Sequence, residues 1–130
     1  MNVARLKALL VEDELISRLT EKFLLEEHGF EVDVAETAID ALEKINELSL
    51  SSIDKTYDVI FMDIGLPDID GHRISEVIRK TEIRAPIPIV AVTSHDSPED
   101  IEKYLKMGIS YVIIKPMRME DIKKLLKLLF

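Results

Sequence analysis

Cysteine and tryptophan are both absent from this chain of 130 residues, and aromatic residues make up only 5% of it. The lack of cysteine excludes disulfide bonds, thiolate metal sites and cysteine nucleophiles, and it fits a reducing compartment. Long apolar runs are also missing, since no stretch approaches the roughly 20 residues that a membrane-spanning helix needs. The first six residues do not resemble a signal peptide. We therefore expect a cytoplasmic domain that makes no membrane contact.

Positive charge is in short supply as well. The chain has 17 lysine and arginine residues against 25 aspartate and glutamate residues, which gives a formal net charge of −8. A chain this acidic lacks the basic face that phosphate contacts need, so we expect no direct binding to nucleic acid. The charge favours divalent cations and basic partner surfaces instead. The length suits one domain over residues 1–130.

Five short apolar runs recur along the chain, and each is typical of a β-strand. Continuous apolar runs of about four residues predict strands that are covered on both faces. In the second run Val32 and Val34 alternate with Asp33, which indicates a strand at the edge of a sheet. The predicted strands cover residues 8–11, 32–34, 59–62, 89–92 and 111–114.

Segments with helical spacing separate these strands. Thr37 and Ser97 are of the N-cap type, while Gly29 and Gly108 stand where a helix C′ glycine belongs. A loop rich in Gly, Pro and Asp covers residues 65–71. In the first helix the spacing comes from Ile16, Leu19, Phe23 and Leu24, and in the last it comes from Ile122, Leu125, Leu126 and Leu129. The predicted helices cover residues 15–28, 38–48, a segment around 74–78, 97–108 and 119–129.

Strands and helices alternate along the whole chain. This order implies an α/β fold, a single doubly wound (βα)5 parallel sheet with helices on both faces and right-handed crossovers. In such a sheet the carboxyl ends of the strands form the functional edge. Polar residues follow four of the five predicted strands at that edge, namely Glu12, Asp13, Asp63, Thr93 and Lys115.

Three carboxylates at one sheet edge indicate a cation site. Two unit charges about 4 Å apart repel by roughly 4 kcal/mol at an effective dielectric constant near 20. Magnesium fits such a set, because it takes oxygen ligands and is often completed by phosphate oxygens. We expect Glu12, Asp13 and Asp63 to bind Mg²⁺, with the backbone carbonyl of Gly65 as a further ligand.

A phosphoryl group is the substrate that this set of residues suits. An aspartate carboxylate is an accepted nucleophile in aspartyl-phosphate chemistry, and Asp63 follows the central strand. The metal and Lys115 would neutralise the phosphoryl oxygens as charge develops, and the Thr93 hydroxyl would donate to the same group. Each residue alone is more often a helix cap or a solvated side chain. Their joint occurrence at four strand ends carries the prediction.

These residues stand in motifs that resemble the response-regulator receiver domain, most of all the receivers of hybrid sensor histidine kinases. The matching stretches are residues 10–14 (LVEDE), 62–71 (MDIGLPDIDG) and 92–94 (VTS), together with Lys115-Pro116. The resemblance covers nearly the whole chain and implies a flavodoxin-like sheet of strand order 2-1-3-4-5. It also implies Asp63 as the phosphoacceptor and a cis peptide bond before Pro116.

The same resemblance implies partners and a context. A histidine kinase or a histidine-phosphotransfer domain would donate the phosphoryl group, and the helices predicted at 97–108 and 119–129 would form a homodimer contact and change conformation with the fifth strand. The domain would be a signalling phosphoacceptor that assists its own phosphorylation and dephosphorylation, not an enzyme in its own right. The parent protein is expected to be a hybrid sensor kinase, with a free-standing single-domain response regulator as the alternative.

One position departs from the family pattern. The family usually carries an aromatic switch residue three positions before the lysine, where this chain has Val112. Tyr111 is one residue earlier and should point to the other face of the sheet, because side chains alternate along a strand. Coupling of Thr93 to an aromatic rotamer switch is therefore in question, while the phosphorylation chemistry is not.

Three other functions compete with this interpretation. A magnesium-dependent phosphatase with an aspartate nucleophile needs a second aspartate two residues after Asp63, where this chain has Gly65. A flavin-binding module needs a Ser/Thr/Gly loop after the first strand to hold phosphate, and residues 12–14 (EDE) would repel it. A receiver-like module that only binds partners would not need the intact acidic set, Thr93 and Lys115.

Overall fold

The computed structural model describes residues 5–51, 56–64, 78 and 87–130. Its centre is one sheet of five parallel strands, β1 Leu6–Val11, β2 Phe30–Ala35, β3 Val59–Asp63, β4 Ile89–Thr93 and β5 Tyr111–Ile114. The strands lie in the order β2-β1-β3-β4-β5. The five predicted strands and their order are confirmed. β2 lies at the edge of the sheet, as its alternating pattern indicated.

The register of the strands brings their carboxyl ends to one edge. Val11 at the end of β1 pairs with Met62 of β3, and Thr93 at the end of β4 pairs with Ile114 at the end of β5. The residues that follow these strands therefore emerge side by side, which is the usual place for a ligand in an open α/β sheet.

Four helices lie in the described part of the chain: α1 Leu15–Glu27, α2 Ala38–Ser51, α3 Pro98–Lys106 and α4 Met119–Leu129. Each of the four is too short or too polar to span a bilayer. α3 and α4 are the helices predicted at 97–108 and 119–129. The loop predicted over residues 65–71 and most of the helix predicted around 74–78 lie outside the described residues, although Ile78 is helical and fully buried.

The predicted helix ends are confirmed by their hydrogen bonds and dihedral angles. The hydroxyl oxygens of Thr37 and Ser97 accept the backbone N–H three residues on, at 3.1 and 3.2 Å. Gly29 and Gly108 follow α1 and α3 with φ of 91° and 93°. That left-handed conformation favours glycine over residues with a Cβ atom, so each glycine ends its helix.

Alternating residues of the central strands pack into two hydrophobic cores, one on each face of the sheet. Leu9 of β1 packs in the same core as α2 residues and Tyr104 of α3. Leu10 lies in the other core with Leu25 of α1 and Leu125 of α4. Fully burying one such side chain contributes roughly 1.5–3 kcal/mol. The helices therefore cover both faces of the sheet, as predicted.

α1 is the helix whose buried face differs from what its apolar spacing suggests. Ile16, Leu19 and Phe23 are 66%, 56% and 61% exposed, although they gave the helical spacing. The side chains that α1 buries are Glu21 and Leu25. The spacing located the helix but not the side that packs against the sheet.

Candidate functional site

A lysine and two carboxylates meet at the carboxyl end of the central strands. Asp63 is the last residue of β3, and its side chain is only 14% exposed. Lys115 follows β5, and its Nζ lies 3.7 Å from Asp63 Oδ1 and 2.6 Å from Glu12 Oε1. The ammonium group thus bridges the carboxylates that end β3 and follow β1.

Three carboxylates form a candidate cation site beside this lysine. One oxygen from each of Glu12, Asp13 and Asp63 lies within 4.8 Å of the other two. Trans oxygens around an octahedral Mg²⁺ with bonds of 2.0–2.1 Å are about 4.2 Å apart, so small side-chain movements would bring all three oxygens to one ion. The set consists of oxygen donors, which is the chemistry that magnesium prefers. These residues fit a magnesium ion.

The environment of Glu12 shows that this part of the structure disfavours further negative charge, which a cation would compensate. Its side chain is buried, and desolvation together with the neighbouring Asp63 raises its pKa to about 7. The hydrogen bond from Lys115 acts in the opposite direction and lowers the pKa of Glu12. One ammonium group therefore compensates only part of the negative charge that the fold collects here.

The turn that carries the acidic residues is fixed by the start of α1. Glu14 is the N-cap, and its carboxylate accepts the backbone N–H of Ile16 at 3.1 Å. The Arg18 guanidinium donates to the carbonyl oxygens of Glu12 and Asp13, at 3.3 and 3.1 Å. These contacts fix the backbone of Glu12 and Asp13 at the carboxyl edge of the sheet. We call the part of this edge that holds Glu12, Asp13, Asp63 and Lys115 the crevice.

Thr93 ends β4 at the same edge and is 2% exposed. Its hydroxyl oxygen accepts the backbone N–H of His95 at 3.1 Å. Its carbonyl oxygen accepts the backbone N–H of Lys115 at 2.8 Å, which ties the ends of β4 and β5 together. The Lys115–Pro116 peptide bond is cis, which is the geometry that the resemblance implied.

The structure thus gathers Glu12, Asp13, Asp63 and Lys115 at one edge and places Thr93 on the same edge. The predicted carbonyl ligand, that of Gly65, lies outside the described residues. The strand alternation predicted for β5 is confirmed: Val112 packs on the face of α2 and α3, and Tyr111 packs on the opposite face with α1 and α4.

Sequence reasoning missed one titratable residue next to the site. Glu21 of α1 is 4% exposed, and its Oε1 makes no hydrogen bond within the described residues. Burial raises its pKa to about 8, and the charge of Glu12 acts in the same direction. The signal was its i, i+4 spacing to the buried Leu25, but a glutamate on a helix usually indicates the solvent side.

A family model described as the response regulator receiver domain matches residues 8–127. The chain belongs to this family. It is therefore a receiver domain of the kind found in response regulators and hybrid histidine kinases, a phosphoacceptor domain of two-component signalling.

Curated relatives place similar domains in much longer proteins. Hybrid signal transduction histidine kinase L of Dictyostelium discoideum is 37% identical over 124 residues, which cover 93% of this chain and 7% of that protein. Transcription factor SKN7 of Chaetomium thermophilum is 35% identical over 122 residues, covering 93% of this chain and 15% of that protein. The chain spans less than a fifth of the length of either relative.

Solved structures share the same architecture. The chemotaxis response regulator CheY4 of Vibrio cholerae superposes with a TM-score of 0.83 at 25% identity, over 98% of this chain and 100% of that one. The receiver domain of sensor histidine kinase PA1611 of Pseudomonas aeruginosa gives a TM-score of 0.81 at 27% identity, over 97% and 98% of the two chains. That structure has a magnesium ion coordinated in its active site cleft.

Proposed function

We propose that residues 1–130 form one receiver domain in which Asp63 accepts a phosphoryl group from a phosphohistidine, with Mg²⁺ bound by Glu12, Asp13, Asp63 and the Gly65 carbonyl. The observation that carries this proposal is the position of the Asp63 carboxylate. Its Oδ1 lies 3.7 Å from the Lys115 ammonium, and one carboxylate oxygen of each of Asp63, Glu12 and Asp13 lies within 4.8 Å of the other two. A nucleophile next to both a fixed positive charge and a candidate cation site is what phosphoryl transfer requires.

In the transfer step an oxygen of Asp63 forms a bond to phosphorus while the bond from phosphorus to the imidazole nitrogen breaks. The electron pair of the broken bond stays on that nitrogen, and the imidazole takes up a proton from solvent. Lys115 pairs with the phosphoryl oxygens, and the Thr93 hydroxyl donates to one of them. A magnesium ion would neutralise negative charge on the same oxygens. The domain itself is a phosphoacceptor and not an enzyme acting on a separate substrate.

Intact-mass measurement after incubation with acetyl phosphate and magnesium tests the acceptor. One added phosphoryl group is expected in the wild type and none in Asp63→Asn. Asp96→Asn is the matched control, because Asp96 is an exposed aspartate on the loop after β4. Equal adducts in the Asp63→Asn variant would contradict the assignment, and a wild type that forms neither an adduct nor a beryllofluoride complex would show a binding module without acceptor chemistry.

Magnesium should also stabilise the fold. At a free concentration 100 times Kd, a ligand that binds only the folded state adds about 2.7 kcal/mol to the free energy of unfolding. We expect the wild type to gain stability with magnesium and Glu12→Gln to gain far less. Thermal unfolding monitored by circular dichroism, with and without the ion, measures this difference. Equal gains in both proteins would count against Glu12 as a ligand.

The exposed apolar residues of α1 support the partner part of the proposal. We use the name α1 apolar face for Leu15, Ile16, Leu19 and Phe23, which are 54–66% exposed. The face begins directly after the acidic turn at Asp13. A protein that brings a phosphohistidine into contact with Asp63 has to cover the surface next to the crevice. The α1 apolar face is thus the docking surface that we propose for a histidine kinase or a histidine-phosphotransfer domain.

The relatives support a proposal for the protein in which this domain stands. We place the domain in the cytoplasm, within a hybrid sensor kinase like the first relative, with a free-standing response regulator as the alternative. Transfer from a phosphotransfer domain without transfer directly from a kinase would support a relay role. Leu105 of α3 and Leu128 of α4 are 49% and 66% exposed, which leaves apolar surface for the homodimer contact that we propose for these two helices. Analytical ultracentrifugation with and without beryllofluoride tests the contact.

A further inference from the structure

A pocket of about 360 Å³ opens beside the crevice, between α1 and the segment that follows β5. This volume is near the lower end of the roughly 300–1,000 Å³ that is usual for ligand pockets, and it suits one long side chain. The pocket is lined by Ile16, Ser17, Thr20, Glu21, Lys115, Pro116 and Met117.

The carboxyl group of Glu21 is the feature of this pocket that indicates a ligand. Glu21 is 4% exposed, and its Oε1 is a buried acceptor without a hydrogen-bond donor among the described residues. Buried polar atoms are nearly always hydrogen-bonded, because an acceptor removed from water and left unpaired is destabilising. A carboxyl oxygen accepts hydrogen bonds whether or not the group carries a proton, so a donor in the pocket would satisfy Oε1 in either form.

The other residues that line the pocket indicate the chemistry of the ligand. Ile16, Pro116 and Met117 supply hydrocarbon, while Ser17 and Thr20 supply hydroxyl groups. A ligand with a hydrocarbon stem and a head with several N–H donors matches this combination, which describes a lysine or, better, an arginine side chain. Among the described residues of the lining Lys115 is the one basic residue, and its ammonium group already contacts Glu12 and Asp63.

We propose that this pocket receives a basic side chain of the protein that donates the phosphoryl group. The inference rests on the proposed function, since it names a contact of the same partner. Two residues connect the pocket to the surfaces already described. Lys115 lines the pocket and contacts Asp63, and Ile16 belongs both to the pocket and to the α1 apolar face. A side chain that fills the pocket therefore comes from a molecule seated at the crevice.

Titration of the ¹⁵N-labelled protein with n-butylguanidinium tests the chemistry of the pocket. We expect saturable shifts of the backbone amide signals of Ser17, Thr20 and Met117, with a Kd on the order of 10 mM for so small a probe. The neutral analogue n-butylurea, which has nearly the same shape, is expected to bind at least about tenfold more weakly because it lacks the charge. Equal binding of the two probes would overturn the proposal and leave a plain apolar pocket.

Two variants separate Glu21 from a general effect of charge. Glu21→Gln keeps the size of the side chain and is expected to weaken n-butylguanidinium binding at least about fivefold, since the cation pairs best with the ionised form of the carboxyl group and an amide cannot ionise. Glu27→Gln makes the same substitution at an exposed position of α1 and should bind as the wild type does. Unchanged binding in Glu21→Gln, or equal losses in both variants, would overturn the role of Glu21.

A competition experiment asks whether the natural occupant belongs to the donor protein. Saturating n-butylguanidinium should slow transfer from a phosphorylated histidine-phosphotransfer domain several-fold while transfer from acetyl phosphate keeps its rate. Equal rates of protein transfer with and without the probe would overturn the partner assignment and indicate a small cationic ligand. Failure of the proposed function would show differently, as a wild type that takes no phosphoryl group from acetyl phosphate even without the probe.

Discussion

α1 and α4 pack against the same face of the sheet and use it in different ways. α4 buries Ile122 and Leu125 completely, so these apolar side chains pack in the core. α1 buries Leu25 beside the carboxyl group of Glu21 and leaves Phe23 61% exposed. The helix that borders the crevice therefore keeps apolar surface available for another molecule and places a carboxyl group where α4 has hydrocarbon. The buried side of α4, by contrast, contributes Ile122 and Leu125 to the core.

The largest effect should come from removing the carboxyl group that distinguishes α1. The pKa of Glu21 rises from 4.5 to about 8 in the folded protein, so between those pH values the folded state holds a proton that the unfolded state has released. Stability is then lost as pH rises from about 5 to 8 and levels off above that, by up to about 5 kcal/mol. Glu21→Leu should be more stable than the wild type at pH 8 and less dependent on pH.

Urea unfolding at several pH values, in EDTA so that bound metal does not contribute, measures this difference. Glu27→Leu is the control, because it removes an exposed carboxylate from the same helix. Glu12, with a pKa raised to about 7, leaves part of the pH dependence in place in every variant. A Glu21→Leu curve that runs parallel to that of the wild type would mean that Glu21 ionises freely in the folded state.

The second contrast compares a buried leucine of α4 with an exposed leucine of α1. Leu125→Ala should lower the free energy of unfolding by about 3 kcal/mol, because Leu125 is fully buried and its loss leaves a cavity. Leu19→Ala should change it by less than about 0.5 kcal/mol, since that side chain is 56% exposed. Thermal or urea unfolding of both variants measures the pair. Similar losses would show that Leu19 packs against the fold.

The smallest predicted energy change concerns the docking of the protein that donates the phosphoryl group. Phe23→Ala should reduce kcat/KM for transfer from a phosphorylated histidine-phosphotransfer domain about tenfold, which corresponds to roughly 1.4 kcal/mol of docking energy. Leu128→Ala is the control, because it removes an exposed leucine of α4 that is 66% exposed. Rapid-quench measurement with both variants decides the matter. A greater loss in Leu128→Ala would move the docking surface to α4.

The sheet could be predicted because buried parallel strands leave a direct record in the sequence. Each continuous apolar run between helical segments became a strand, and Asp63 and Thr93 then had to lie at the same sheet edge. The close contact between Lys115 and Glu12 could not be predicted, since the two residues are 103 positions apart and their 2.6 Å distance depends on strand register and rotamers. Strand order itself came from the family resemblance.

The position of α1 could be predicted, but its buried side could not, for a physical reason. Periodicity reports that one side of a helix is apolar, and α1 carries two overlapping apolar sides. Leu19 and Phe23 mark one side and Leu25 belongs to the other, so only packing against the sheet decides which is buried. The burial of Glu21 could not be predicted, because a buried carboxyl group has no sequence pattern of its own in a helix that is otherwise rich in charge.

The two hydrogen bonds of Thr93 indicate which part of the chain would move when the hydroxyl group changes its partner. Its carbonyl holds the backbone of Lys115, while its hydroxyl oxygen holds the backbone N–H of His95 on the way to α3. A hydroxyl drawn toward a phosphoryl group has to release His95, but the bond between the strands stays in place. If Asp63 is phosphorylated as proposed, the structural change would therefore begin at residues 94–97, while the hydrogen bond between Thr93 and Lys115 keeps the ends of β4 and β5 together.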